Sequence, residues 1–348
     1  MKADKRKIMI SSFIKPIMES LIAVAIGVLI GAIVLKFSGY SPVKAYTALM
    51  KGAVGSAYGW SMTLSAATPI ILTALTFAIS ARTGIFNIGA EGTVYFGAIA
   101  AIVFTNMFAN PIWGLIGGII AGILWALPAA LLKVYRGVHE VISTIMLNWI
   151  AFYTALYLVL GPLANPNDPN KTIEVPLSAR LPLLMKGSEL SLAFIIAIAA
   201  AIITYYILWH TVLGFELRAS GYNERAAKYG GINPKKAIIW SFLIGGIMSG
   251  IAGATEVMGR PPSYAISQGM ANIYGYGFDG IGVSLVGRNH PIGIIFSGIF
   301  LGALKAGATY MQIDAGVPLE MVKVVQGIIV VAVAVPGLWD LIKRVVRR

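Results

Sequence analysis

The chain reads as an all-α polytopic membrane protein of about ten transmembrane helices. Two observations predict this. Apolar residues make up 57 % of the sequence and charged residues 12 %, with a mean hydropathy of +0.80, whereas a soluble domain carries about 25 % charge. Apolar runs of about 20 residues, the length that crosses a hydrocarbon core, recur from end to end. No soluble segment divides them, so residues 1–348 read as a single transmembrane domain.

The elements follow in order. "MKADKRKIMISSF" is basic and then apolar, with no small-residue cleavage site. It reads as a tail leading into a retained first crossing near 17–37, not as a signal peptide. Further crossings fall near 62–81, 84–107, 112–133 and 141–160. The loop from Gly161 to Leu190 is proline-rich and polar, then partly apolar. It reads as a connector, a cap over the pathway, or a contact for an external partner. Crossings near 191–213 and 236–258 bracket a charged loop at 214–235. The segment at 268–287 is the weakest, because "SQGMANIYGYGFDGIGVSLVG" sets Asp279 among glycines. It predicts a broken or half-crossing helix, tolerated at membrane depth only against protein or water. Crossings near 291–311 and 321–342 complete the set.

Charge distribution orients these spans. With the N-terminus inside, the inner segments hold 18 of the 27 basic residues, among them Arg82, Lys133, Arg136, Arg218, Arg225 and Arg288, together with both tails. Positive charge gathers on the cytoplasmic side of membrane proteins. Both termini are therefore expected in the cytoplasm, in a cell (plasma) membrane protein. Omitting 268–287 would put "KRVVRR" and Arg288 outside, so the rule counts that segment as a crossing. The net charge of +13 follows from orientation and requires no nucleic-acid partner. The absence of cysteine excludes disulfides, thiolate metal sites and a cysteine nucleophile.

Small residues recur at helix-packing spacing. Gly27 and Gly31, Gly118 and Gly122, Gly246 and Gly250, and Gly298 and Gly302 each form a G-x-x-x-G pair. Such pairs let helices approach closely where lipid supplies no hydrophobic drive.

The loop at 214–235, "LGFELRASGYNERAAKYGGINPKKAIIW" with its flanks, is the most readable stretch. Asn223 is placed to cap a short helix, and Glu224 in its first turn complements the helix dipole. Gly230 and Gly231 end it, and Asn233 with Pro234 starts the next span. A short, sharply bounded helix with small residues on one face suits docking into a partner's cleft.

"GYNERAAKYGGI" resembles the cytoplasmic coupling loop of permease subunits of ATP-binding-cassette importers, in the branch serving ribose-type sugars, branched-chain amino acids and nucleosides. Gly221, Asn223, Ala226, Ala227, Tyr229, Gly231 and Ile232 carry the match. "FNIGAEG", "EVISTIMLNWIA" and "GFDGIGVSLVGRNHPIG" resemble the simple-sugar and nucleoside subgroup, and the matches spread from about 82 to 310. Thr93 departs from the glutamine common in that subgroup after "GAEG".

The resemblance implies a permease that imports nucleosides by alternating access, with simple sugars as the alternative cargo. It implies no catalytic residue, no metal and no cofactor on this chain, with ATP and magnesium on a partner ATPase subunit. The chain has no G-x-x-x-x-G-K-[ST] phosphate loop, in agreement. A second permease subunit, identical or homologous, and an extracytoplasmic substrate-binding protein complete the expected assembly. Gly221, Asn223, Glu224, Ala226, Ala227, Tyr229, Gly230 and Gly231 are the residues expected to couple to the ATPase.

Candidates for the pathway or its gate are the intramembrane polar residues Asn87, Glu91, Asn148 and Asp279. Carboxylates in spans face an interior or a cavity, since burial in lipid costs ~2.5 kcal/mol or more. "GIFNIGAEG" places Asn87 and Glu91 on one face of the first two turns of the span starting at 84. The bland alternative for Glu91 is a carboxylate satisfying its own helix start, which includes an ion pair with Arg82. For Asp279 it is satisfying broken-helix amides or pairing with Lys305 or Arg288, and for Asn148 an interhelical hydrogen bond. Two rival classes are weaker. "HEVIS" begins like H-E-x-x-H, but Ser143 stands where the second zinc ligand belongs, and His139, His210 and His290 lie far apart in sequence. An ion-coupled secondary transporter finds only a partial match in Asp279 and its glycine-rich segment.

Overall fold

A computed structural model describes residues 24–334. Its helices are α1 (Val24–Phe37), α2 (Pro42–Val54), α3 (Ala57–Arg82), α4 (Ala90–Phe108), α5 (Pro111–Arg136) and α6 (Glu140–Leu160), then α7 (Ala193–His210), α8 (Val212–Tyr222), α9 (Glu224–Tyr229), α10 (Pro234–Gly259), α11 (Tyr276–Val286), α12 (Pro291–Ala315) and α13 (Leu319–Ala334). A small antiparallel hairpin, β1 (Ala164–Asn165) and β2 (Asp168–Thr172), follows α6. The chain is thus an all-helical polytopic membrane protein. Among the described residues, α3, α4, α5, α6, α7, α10 and α12 are long and apolar enough to cross a membrane. The basic tails, and residues 17–23 and 335–342 of the crossings expected at 17–37 and 321–342, lie outside the described residues.

Local chemistry sets most boundaries. Ser41, Asn110, Thr211, Asn223 and Asn233 each accept a hydrogen bond from an amide in the first turn of the helix that follows. Proline occupies the first position of α2, α5 and α10, where its missing N–H is harmless. Gly137, at φ +65°, closes α5.

The described residues form two compact units, one of residues 24–59 with 304–334 and one of residues 60–303. In the first, Gly27 and Gly31 lie against Ile329 and Val325 of α13, and Tyr46 donates to the Val28 carbonyl at 2.8 Å. In the second, α3 has 89 % of its apolar window buried, and buried hydroxyls such as those of Thr73 and Thr76 bond the Tyr276 and Gly245 carbonyls. Gly118 and Gly122 of α5 meet Gly246 and Gly250 of α10 backbone to backbone. Gly97 of α4 closes on the same Gly250 carbonyl, and Gly302 on Thr63 and Ala67 of α3. The G-x-x-x-G pairs therefore sit at helix contacts, and two of them face each other.

Three boundaries differ from the sequence expectation. The third crossing starts at Ala90, not at 84, because Gly84 turns the chain at φ +79° and the Asn87 side chain accepts from the Gly89 amide at 2.8 Å. That local turn competes with helix. Asn87 therefore lies outside the helix and shares no helical face with Glu91. The loop at 214–235 holds α8 as well as α9, since Thr211 restarts the helix directly after α7. The expected crossing at 268–287 narrows to the 11 residues of α11, preceded by a short turn at Gln268–Met270. Eleven residues rise only about 16 Å.

The loop 161–190 is pinned rather than loose. Thr172, Val175 and Leu181 donate backbone hydrogen bonds to Ile266, Tyr264 and Met258 at 3.0, 2.8 and 2.9 Å. Lys171 and Arg180 flank Glu174 at 2.8 and 2.9 Å, and the Lys171 bond holds its carboxyl below the usual carboxylate range.

Candidate functional site

Glu91 lies where α4 and α11 begin. Helices α3 and α5 have 26 residues and α4 has 19. At 1.5 Å per residue α4 is shorter by about 10 Å. A non-helical strap, residues 83–89, bent at Gly84 and at Asn87, joins the end of α3 to the start of α4.

Glu91 sits in the first turn of α4, 2 % exposed. Its Oε1 accepts from the Tyr95 hydroxyl and from the Gly275 amide, both at 2.6 Å. Its Oε2 accepts from the Gly277 amide at 2.7 Å. Gly275 and Gly277 open α11, so one carboxylate serves two helix N-termini, each of which favours negative charge. Glycine is required at 277, because a Cβ there would run into the Glu91 backbone.

Asn148 of α6 clips the same junction. Its Oδ1 accepts from the Gly92 amide and its Nδ2 donates to the Ile88 carbonyl, both at 2.9 Å. Asn87 Nδ2 reaches Ser80 Oγ at 3.3 Å. Asp279 lies half-buried in the first turn of α11. Glu91 and Asn148 thus meet at the start of α4, and Asp279 lies in the first turn of the helix that Glu91 holds, whereas Asn87 is bonded to Ser80 and Gly89 of the strap.

Arg82 does something else. It is not paired with Glu91. Its Nε and Nη2 donate to the carbonyls of Asn289 and Arg288, each at 2.9 Å. Those carbonyls follow the C-terminus of α11. The strap between Arg82 and Glu91 therefore grips both ends of α11, cation at the carbonyl end and anion at the amide end, as the helix dipole prefers.

A second network holds the first turn of α11 from another direction. Arg260, just past α10, bonds Glu189 of the pinned loop at 2.9 Å, Glu256 at 2.7 Å and the Tyr276 hydroxyl at 2.6 Å. Thr73 of α3 donates to the Tyr276 carbonyl at 2.7 Å. None of Tyr95, Tyr276, Glu256, Arg260 and Glu189 was singled out by the sequence as a site residue. Only Tyr95 carried a local signal, at i+4 from Glu91.

The element expected to dock is built as its sequence implies. Asn223 Oδ1 caps α9 through the Ala226 amide at 3.0 Å, Glu224 occupies its first turn and Gly230 its C-cap, with Gly231 at φ +83°. Ala226 is exposed and Tyr229 is 95 % exposed, whereas Ala227 is turned into the chain at 5 %. Gly221 of α8 abuts the Arg82 and Gly84 backbone so closely that a Cβ would strike the Arg82 carbonyl. The capped helix thus connects through α8 to the strap.

Residues 59–334 match the family described as "Branched-chain amino acid transport system / permease component". The chain is 39 % identical to the guanosine ABC transporter permease protein NupP of Bacillus subtilis (strain 168), over 90 % of this chain and 92 % of that protein. It is 34 % identical to the nucleoside ABC transporter permease protein NupB of Lactococcus lactis subsp. cremoris (strain MG1363), over 92 % and 91 %. A glucose ABC transporter permease protein of Haloferax volcanii, TsgB13, is 29 % identical over 90 % of this chain and 85 % of its own. With matches of this extent, the chain belongs to the permease-component family of the branched-chain amino acid transport system.

Proposed function

We propose that this chain is the membrane-spanning permease subunit of an ATP-driven nucleoside importer. The observation that carries the reading is 39 % and 34 % identity, nearly end to end, to permeases of guanosine and nucleoside transporters. The 29 % identity to a glucose permease supports simple sugars as the second reading. In this proposal ten crossings, the eighth a broken one made of α11 and the non-helical residues before it, place both termini in the cytoplasm, which puts α9 on the cytoplasmic side.

An ATPase partner seats α9, with Asn223, Ala226, Tyr229 and Gly230 on the contact face and Ala227 anchoring the helix to its own chain. A push on α9 passes to α8, and from Gly221 to the Arg82–Gly84 turn. The strap then delivers it to both ends of α11. Asn87 on the strap, Glu91 and Asn148 at the start of α4, and Asp279 in the first turn of α11 gate the pathway. A second permease and an extracytoplasmic binding protein complete the importer.

Purification from native membranes in mild detergent is the direct test. An ATPase subunit is expected at near-equal stoichiometry, and the reconstituted assembly is expected to take up labelled guanosine in competition with other nucleosides and not with glucose. Glucose competition selects the sugar reading. Uptake by this chain alone, driven by an ion gradient, overturns the proposal. Tyr229→Asp is expected to weaken ATPase association by at least ~30-fold, as loss of a central aromatic anchor does. Its membrane insertion should be normal, and undiminished co-purification removes Tyr229 from the interface.

A further inference from the structure

Beside the α8–strap contact lies a cavity of about 180 Å³ lined by Ala81, Arg82, Arg218, Gly221, Tyr222, Arg288 and Asn289. Three of these side chains are guanidinium groups and none is acidic. Two of the arginines are fixed. Arg82 is tethered to the Arg288 and Asn289 carbonyls, and Arg218 Nε points at the Gly214 carbonyl at 3.4 Å. Both guanidiniums stack on one indole, that of Trp209, at 5.4 and 5.6 Å from its ring centroid.

This arrangement is expensive without a ligand. Like charges held on a shared ring repel, and partial burial weakens the screening that water supplies. Among the described residues neither Arg82 nor Arg218 forms an ion pair with a carboxylate. The tethers use Nε and Nη2 of Arg82 and Nε of Arg218, so terminal N–H groups of both remain for a further acceptor. Planar guanidinium forks match the oxygen spacing of phosphate, and the phenol of Tyr222 adds a neutral donor at the rim.

We infer that this cavity is a binding site for a phosphate-type oxyanion, bridging α3, α8 and the turn between α11 and α12. The phosphate group belongs either to free inorganic phosphate or to an anionic lipid headgroup. None of the lining residues belongs to α9. Its occupant ties the coupling element to the carbonyl end of α11.

The test uses the full chain, with any subunits that co-purify, in nanodiscs of phosphatidylcholine and in nanodiscs of phosphatidylcholine mixed with phosphatidylglycerol. Equilibrium dialysis with radiolabelled inorganic phosphate reads binding. Saturable binding is expected in phosphatidylcholine, weakened at least about tenfold by Arg218→Gln. Arg288→Gln serves as the second variant should the first fail to insert. Binding that persists beside phosphatidylglycerol identifies free phosphate as the occupant. Binding abolished by phosphatidylglycerol, with that lipid retained by the wild-type chain and lost from the variant, identifies the headgroup. No saturable binding in phosphatidylcholine, or equal binding by wild type and both variants, overturns the inference.

Discussion

Glu91→Gln is expected to lower both thermal stability and uptake, although it changes a single atom. The carboxylate accepts three hydrogen bonds, two at Oε1 and one at Oε2. A glutamine keeps one oxygen. If that oxygen stays with Tyr95 and Gly275, the amide NH₂ faces the Gly277 N–H, donor against donor. Leaving one buried donor unmet costs about 1–3 kcal/mol. Glu91→Ala strands all three donors and is expected to cost more than Glu91→Gln. The check is a thermal unfolding midpoint in detergent together with uptake in vesicles. A midpoint and uptake equal to wild type in Glu91→Gln would show that α11 does not depend on this carboxylate.

Gly250→Val is expected to have the larger effect and to prevent assembly of the helix core. The Cβ of residue 250 would lodge in the Gly118 carbonyl, and Gly97 approaches the Gly250 carbonyl from α4. Valine adds two further methyl groups where three helices meet backbone on backbone. Overpacking a core costs typically ~1–3 kcal/mol when side chains can adjust. Here the obstructing atoms are carbonyls within helices, which have no rotamer to change, so the loss is expected above that range. Size-exclusion in mild detergent should show aggregated chain. Gly327→Val is the control, since a Cβ at Gly327 meets nothing within 4 Å, and it should elute as wild type. Folded, monodisperse Gly250→Val would refute the close approach.

Features set by neighbours in sequence were readable from the residues. Asn223, Gly230, Asn233 and Pro234 specify the ends of α9 and the start of α10 through bonds spanning two or three residues. The G-x-x-x-G pairs marked helix contacts, because only packing explains so many small residues in lipid. Partners far along the chain left no such trace. Nothing near Glu91 points to Gly275 and Gly277, 184 and 186 residues on. Asn87 was misplaced onto a helix because apolar periodicity does not reveal a non-helical strap beside a protein wall. Helix α8 went unrecognised because its charged sequence resembles a connector, and its helical start depends on the single hydroxyl of Thr211.

The distance along the chain between Glu91 and its amide donors also constrains synthesis. At about 5–20 residues per second, 184 residues take roughly 10–40 s to translate. Through that interval α4 exists and α11 does not. Glu91 then has Tyr95 and its own helix start as partners, and drawing the carboxylate into lipid costs ~2.5 kcal/mol or more. The newborn α4 is therefore favoured in a shallow position, its first turn kept in contact with water. Arrival of α11 supplies the two amides from which the carboxylate accepts. The contact between α4 and the start of α11 is therefore completed only after residue 277 has been made.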